Sequence, residues 1–151
     1  MFLVQEELKT VLYDYQLGQI TEDDNTIVVN AIAAAEEEVR SYLSPGILKS
    51  AQDGRPRYDV AAILSATGNN RNVLILEHTK NIAVWWIIRL CNADLIFEQA
   101  KQRYDASIKY LEKLRTGEVV ISSLPVLAPE ATPEVTDFYR AGSRRKFKHE
   151  D

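Results

Sequence analysis

A single cysteine, Cys91, and two histidines, His78 and His149, are all that the 151 residues offer toward disulfides or transition-metal sites. One thiol excludes an internal disulfide, and three scattered side chains do not make a four-ligand zinc site. Proline and glycine are also scarce, at five and six residues, which leaves long stretches free for helix. The most apolar run, residues 82–90, is broken only by Arg89, yet falls far short of the roughly 20 residues that cross a bilayer. Met1-Phe2-Leu3-Val4 leads straight into Gln5-Glu6-Glu7, without the basic region and apolar stretch of an export signal. No glycine-rich phosphate loop, Gly-x-Ser-x-Gly, His-Glu-x-x-His or paired cysteines occur, so the common nucleotide, hydrolase and metalloprotease signatures are missing. We expect no enzyme, no cofactor, no metal and no membrane partner.

What is present is helical periodicity. The size, 17.1 kDa with 46% hydrophobic residues, suits one domain with a real core. Leu8, Val11, Leu12 and Tyr15 share a helical face over residues 5–15, with an end expected before Gly18. Thr21-Glu22-Asp23-Asp24 offers caps for a long second helix, whose stripe runs through Val28, Ala31, Ile32, Ala35, Val39, Tyr42 and Leu43. Ser44-Pro45-Gly46 stops it. Residues 47–58 read as a charged surface loop, 58–66 as a short helix, and 73–91 as a third long helix capped by Asn72, apolar all round in its second half. Asn92-Ala93-Asp94 caps a fourth, carrying Phe97, Ala100, Tyr104, Ile108, Leu111 and Leu114, and Gly117 ends it. The expected fold is an all-α, four- to five-helix bundle over 1–117 with an extended, partly β-like arm over 118–151.

Few side chains suggest chemistry. Glu77 and His78 are neighbours, but adjacent helical residues point about 100° apart, and a solvated or interface histidine is expected. Cys91 is read as a small core hydrophobe. Glu36-Glu37-Glu38 fan round their helix, with Glu36 spaced to pair Arg40, which suits a solvated face better than a metal site. Trp85 and Trp86 are read as packing between helices or subunits rather than as a stacking platform.

Charge is uneven. Lys plus Arg number 18 against 22 Asp plus Glu, for a net −4, which argues against a surface that grips duplex DNA overall. Arg140, Arg144, Arg145, Lys146 and Lys148 against Glu150 and Asp151 leave +3 on the last twelve residues, and −7 on residues 1–139. Pro125, Pro129 and Pro133 precede this basic end and favour extended backbone. The arm reads either as a solubilising tail or as a docking segment with Tyr139 and Phe147 as apolar anchors. Its aromatics favour docking, because pure linkers tend to lack them.

Arg103-Tyr104-Asp105-Ala106, followed by Leu111, Leu114 and Gly117-Glu118, resembles the C-terminal helix of the small head-tail connector proteins of tailed phages, especially their Mu-like prophage branch. The opening residues 2–12, the helix ending in Tyr42-Leu43, and the apolar 82–90 with Trp85, Trp86 and Arg89 are similar to the corresponding helices of that family. The likeness covers about 1–124. Residues 47–72 do not resemble the usual family loop, and the arm is longer.

The resemblance implies structural work in the virion neck, after assembly in the host cytoplasm. A homo-oligomeric ring, twelvefold by resemblance, would dock on the portal protein, extend the DNA channel without sequence-specific binding, and present a surface to the next connector or tail protein. Val119, Val120 and Ile121 are then candidates to add a strand to a partner sheet. Tyr139, Arg140, Arg144, Arg145, Lys146, Phe147 and Lys148 are candidates to clamp the portal or a neighbouring copy. The alternative function is a small helical nucleic-acid-binding regulator whose basic arm contacts phosphates.

Overall fold

The computed structural model describes residues 1–44, 55–91 and 97–127. It is an all-α bundle. A 3₁₀-helix, Gln5–Thr10, leads into α1 (Asp14–Thr21), α2 (Asn25–Leu43), α3 (Val60–Ser65), α4 (Val73–Cys91) and α5 (Phe97–Thr116), with a 3₁₀ turn at Gly68–Asn70. No strand occurs among the described residues. The centre is α4, which packs against both α2 and α5. It buries Ile75, Ile82, Ala83, Val84, Ile87 and Ile88, and each isoleucine or valine so placed contributes on the order of 1.5–3 kcal/mol. Ser107 of α5 bonds His78 and Asn81 of α4, while Tyr104 stacks on Trp85, so the two helices run antiparallel.

The helix ends follow from short polar side chains. Asp24 Oδ1 accepts the Thr26 N–H at 2.8 Å to open α2. Asn72 Oδ1 accepts the N–H groups of Leu74 and Ile75, both at 3.1 Å, to open α4. Asp59 does the same for Ala62 at α3. These bonds satisfy amides that have no partner within their own helix. Gly117 closes α5 at φ +83°, and a Cβ there would stand 2.6 Å from the Arg55 side chain. Both the left-handed backbone and the contact require glycine. The expected cap at residues 92–94 and the stop at 45–46 lie outside the described residues.

The first helix departs from expectation in two ways. The single helix over 5–15 is instead two pieces, because the Leu8 carbonyl accepts from both Val11 and Leu12 at 2.9 Å and Tyr13 is extended. That break lets Leu8, Leu12 and Leu17 all enter the core. Gly18 lies inside α1 rather than beyond an end. Its missing Cβ makes room for Asp23, whose Oδ1 comes within 2.8 Å of where that carbon would stand.

The run Glu36-Glu37-Glu38 is not a solvated face. Only Glu37 takes the surface role, pairing Arg40 at 3.0 Å. Glu36 Oε1 accepts the backbone N–H groups of Phe2 and Leu3 at 2.7 and 3.0 Å. Glu38 accepts Trp86 Nε1–H at 2.8 Å and the Tyr104 hydroxyl at 2.6 Å. The same fan that scatters three consecutive side chains round a helix gives each its own partner. Arg71 completes the N-terminal clamp by donating to the Phe2 carbonyl at 2.7 Å and by a two-pronged bond to Glu7. Guanidinium and carboxylate hold each other charged: the Glu7 carboxyl lies below its ordinary range and the Arg71 pKa above.

Among the described residues Glu38 alone joins α2 to both α4 and α5 by side-chain hydrogen bonds, so Glu38→Ala leaves two half-buried donors without their acceptor. Urea unfolding should show a loss of about 2–3 kcal/mol, and Glu38→Gln, which keeps one acceptor, should lose less than half as much.

Candidate assembly interface

The residues singled out from the sequence divide into three groups. Leu111 and Leu114 are buried in the core. Trp85 packs on Tyr104 and Phe97 of α5 with ring centroids 5.3 and 5.2 Å away, and Trp86, under Arg89 of its own helix at 5.2 Å, donates to Glu38 of α2, so both tryptophans sit between helices. Tyr104 bonds Glu38 and rises in pKa, chiefly because it is buried and then because of that bond. Arg103 is exposed and donates to the Val11 carbonyl at 3.1 Å. Gly117 is the α5 terminator.

The second group, Val119, Val120 and Ile121, is not a strand. Val120 is exposed, whereas Ile121 packs against the core and donates its N–H to the Tyr58 hydroxyl at 3.1 Å. Leu124 is buried, Val126 forms an isolated antiparallel bridge with Tyr58, and Leu127 N–H bonds the Arg57 carbonyl at 2.7 Å. Residues 118–127 therefore lie back on the bundle, and a truncation that spares the fold must begin after Leu127 rather than at 125. The third group, Tyr139, Arg140, Arg144, Arg145, Lys146, Phe147 and Lys148, lies outside the described residues.

The bundle has two unlike ends. At one, α3, the first turn of α4 and residues 121–125 frame an apolar groove with Ala62, Ala66, Val73, Leu74 and Leu124 along it. Val73 is 74% exposed there. At the other, Tyr13 and Tyr15 are 68% and 64% exposed and stack with centroids 5.9 Å apart. They border a concave surface with Asp14, Gly18, Gln19 and Asp23. Sequence reasoning placed Tyr15 on the buried stripe and passed over Tyr13. The break at 11–13 turns both outward, and periodicity alone does not reveal such a break.

Among the described residues, the one arrangement that looks chemical is sealed. His78 Nδ1 lies 3.0 Å from Ser107 Oγ, a nucleophile–base spacing, but Ser107 is 0% exposed and also accepts from Asn81 Nδ2 at 3.2 Å. No substrate reaches that oxygen. His78 is also less solvated than expected: its ring stacks on Tyr110 at 4.6 Å, and its Nε2 is buried without a partner. Glu77 pairs Lys80 at 3.4 Å instead of orienting the imidazole. Cys91 packs against the core, and burial raises its thiol pKa, so it is a poor nucleophile. No helix among the described residues is long and apolar enough to cross a membrane.

The family described as Bacteriophage Mu, Gp36 matches residues 2–137. The chain belongs to that family. It is thus a member of a Mu-like bacteriophage protein family, and the match extends beyond the 1–124 likeness seen in the residues. It takes in 47–72 and the first part of the arm, and leaves the basic segment 139–148 outside. No curated protein and no solved structure matches the chain.

His78, inside the matched stretch, makes stability depend on pH. Burial lowers its pKa from 6.5, against the weaker opposing pull of Glu77, because a protonated ring would bury a second N–H without an acceptor. The unfolded chain then binds this proton more tightly than the folded one. Stability should be intact above about pH 6.5 and fall below it, with a slope of up to one proton. Chemical unfolding between pH 8 and 5 checks this: His78→Gln should flatten the decline, and parallel curves for the two proteins would refute it.

Proposed function

We propose that this chain is a structural head-tail connector of a tailed phage, without catalytic activity. Copies form a ring that docks on the portal protein in the virion neck, extends the DNA channel, and offers its far side to the next connector or a tail protein. The observation that carries the reading is the family match over 2–137, joined to the resemblance of Arg103-Tyr104 through Gly117-Glu118 to a connector helix. The physical features support it. A rigid bundle with two chemically different ends suits a spacer set between unlike partners. Net −7 on residues 1–139 suits a channel through which phosphates slide without sticking. The basic arm over 139–148 is the proposed clamp on the portal or on a neighbouring copy. A second reading, a nucleic-acid-binding regulator, is favoured by the five cations of that arm alone.

Co-sedimentation with the portal protein tests the role of the arm. The full chain should pellet with portal, and a chain ending at Leu127 should keep the same helical circular dichroism while its binding falls at least tenfold. Equal binding by the two would contradict the clamp.

A further inference from the structure

The two ends of the bundle differ in chemistry. The arm departs from the end where Val126 meets Tyr58, Leu127 meets Arg57 and Asn72 Nδ2 bonds Ser123. This is also the end where Arg55 donates to the Arg115 carbonyl of α5 at 2.8 Å. The stacked Tyr13–Tyr15 face lies toward the opposite end, beside Val11, whose carbonyl is held by Arg103 near the start of α5. Twelve helical residues separate Arg103 from Arg115, roughly 18 Å along the axis. Tyr13 and Tyr15 are both exposed and stack on one another, and exposed apolar side chains that cluster mark contact sites more often than scattered ones do.

We propose that the Tyr13–Tyr15 face receives the basic segment 140–148 of a second copy, head to tail. The occupant follows from charge and ring chemistry. Tyrosine faces take arginine guanidinium groups by stacking and by cation–π attraction. The concavity beside them is bordered by Asp14 and Asp23, and Asp14 is engaged by Lys9 at 3.1 Å. The arm carries Arg140, Arg144, Arg145, Lys146 and Lys148 without an intervening acid, and the remainder of the chain is net −7. A second copy is the source because the ring reading sets copies side by side, and a head-to-tail contact repeats from one copy to the next and closes into a ring when the rotation permits. The inference rests on the ring reading and deepens it by naming the contact between neighbours.

Mixed-copy cross-linking tests it in the full chain with Cys91→Ser. One copy carries Gln19→Cys, beside the tyrosines, and the other Ser143→Cys in the arm. Mild oxidation should yield the mixed disulfide at least fivefold above a control pairing of Ser143→Cys with Ser41→Cys on the outer face of α2. The yield should fall to the control level with Arg144→Glu and Arg145→Glu, or with Tyr13→Ala and Tyr15→Ala, and survive Tyr13→Phe and Tyr15→Phe. A yield no higher than the control overturns the proposal. So does a doubly substituted chain that closes only on itself, which would make the arm an intramolecular strap. A chain that cross-links as described yet is missing from the virion neck would leave this contact standing and remove the connector reading. A neck protein that does not cross-link would do the reverse.

Discussion

Two carboxylates on one helix organise this molecule. Glu36 and Glu38 of α2 point to different sides: one holds the backbone of Phe2 and Leu3, the other holds Trp86 of α4 and Tyr104 of α5. Hydrophobic burial is non-directional, and α4, apolar on nearly every side, is free to slide or rotate if packing alone positions it. Half-buried carboxylates remove that freedom, since a donor pulled away from them loses a charge-assisted bond without recovering full hydration. Arg71 extends the constraint by tying the Phe2 carbonyl, the Gly68 carbonyl and Glu7 into the turn before α4. The N-terminal residues are thereby part of the frame: Phe2 and Leu3 are among the most buried side chains of the chain.

Most of the architecture was legible because long amphipathic helices announce themselves. The stripe 28, 31, 32, 35, 39, 43 is the set buried on α2, and Asn72, Asp24 and Gly117 act as the caps and terminator their residue types imply. The errors arose where tertiary contacts override local pattern. Glu36 and Glu38 look like any charged helix surface until the partners, 34 and 48 residues distant, are in place. Gly18 has the appearance of a terminator, and its real use is to admit Asp23. His78 carries no sequence mark of its stack on Tyr110. Of the proposed interface, the strand expected at Val119, Val120 and Ile121 is replaced by a segment laid over Tyr58, whose hydroxyl reaches a backbone amide that no spacing rule connects to it.

One end of the bundle launches the arm beside an apolar groove, and the other presents stacked tyrosines with acidic neighbours. Ser107 is buried behind His78, and burial pushes the Cys91 thiol up from its ordinary value. Membership in the Bacteriophage Mu, Gp36 family makes the chain a phage protein.

The most direct measurement is a reconstruction of the neck of the phage that makes this chain, with the five helices fitted to density. The account predicts a closed ring of these bundles between portal and tail, α4 at the centre of each copy. A neck fully occupied by other proteins, with this chain missing from the particle, would contradict it.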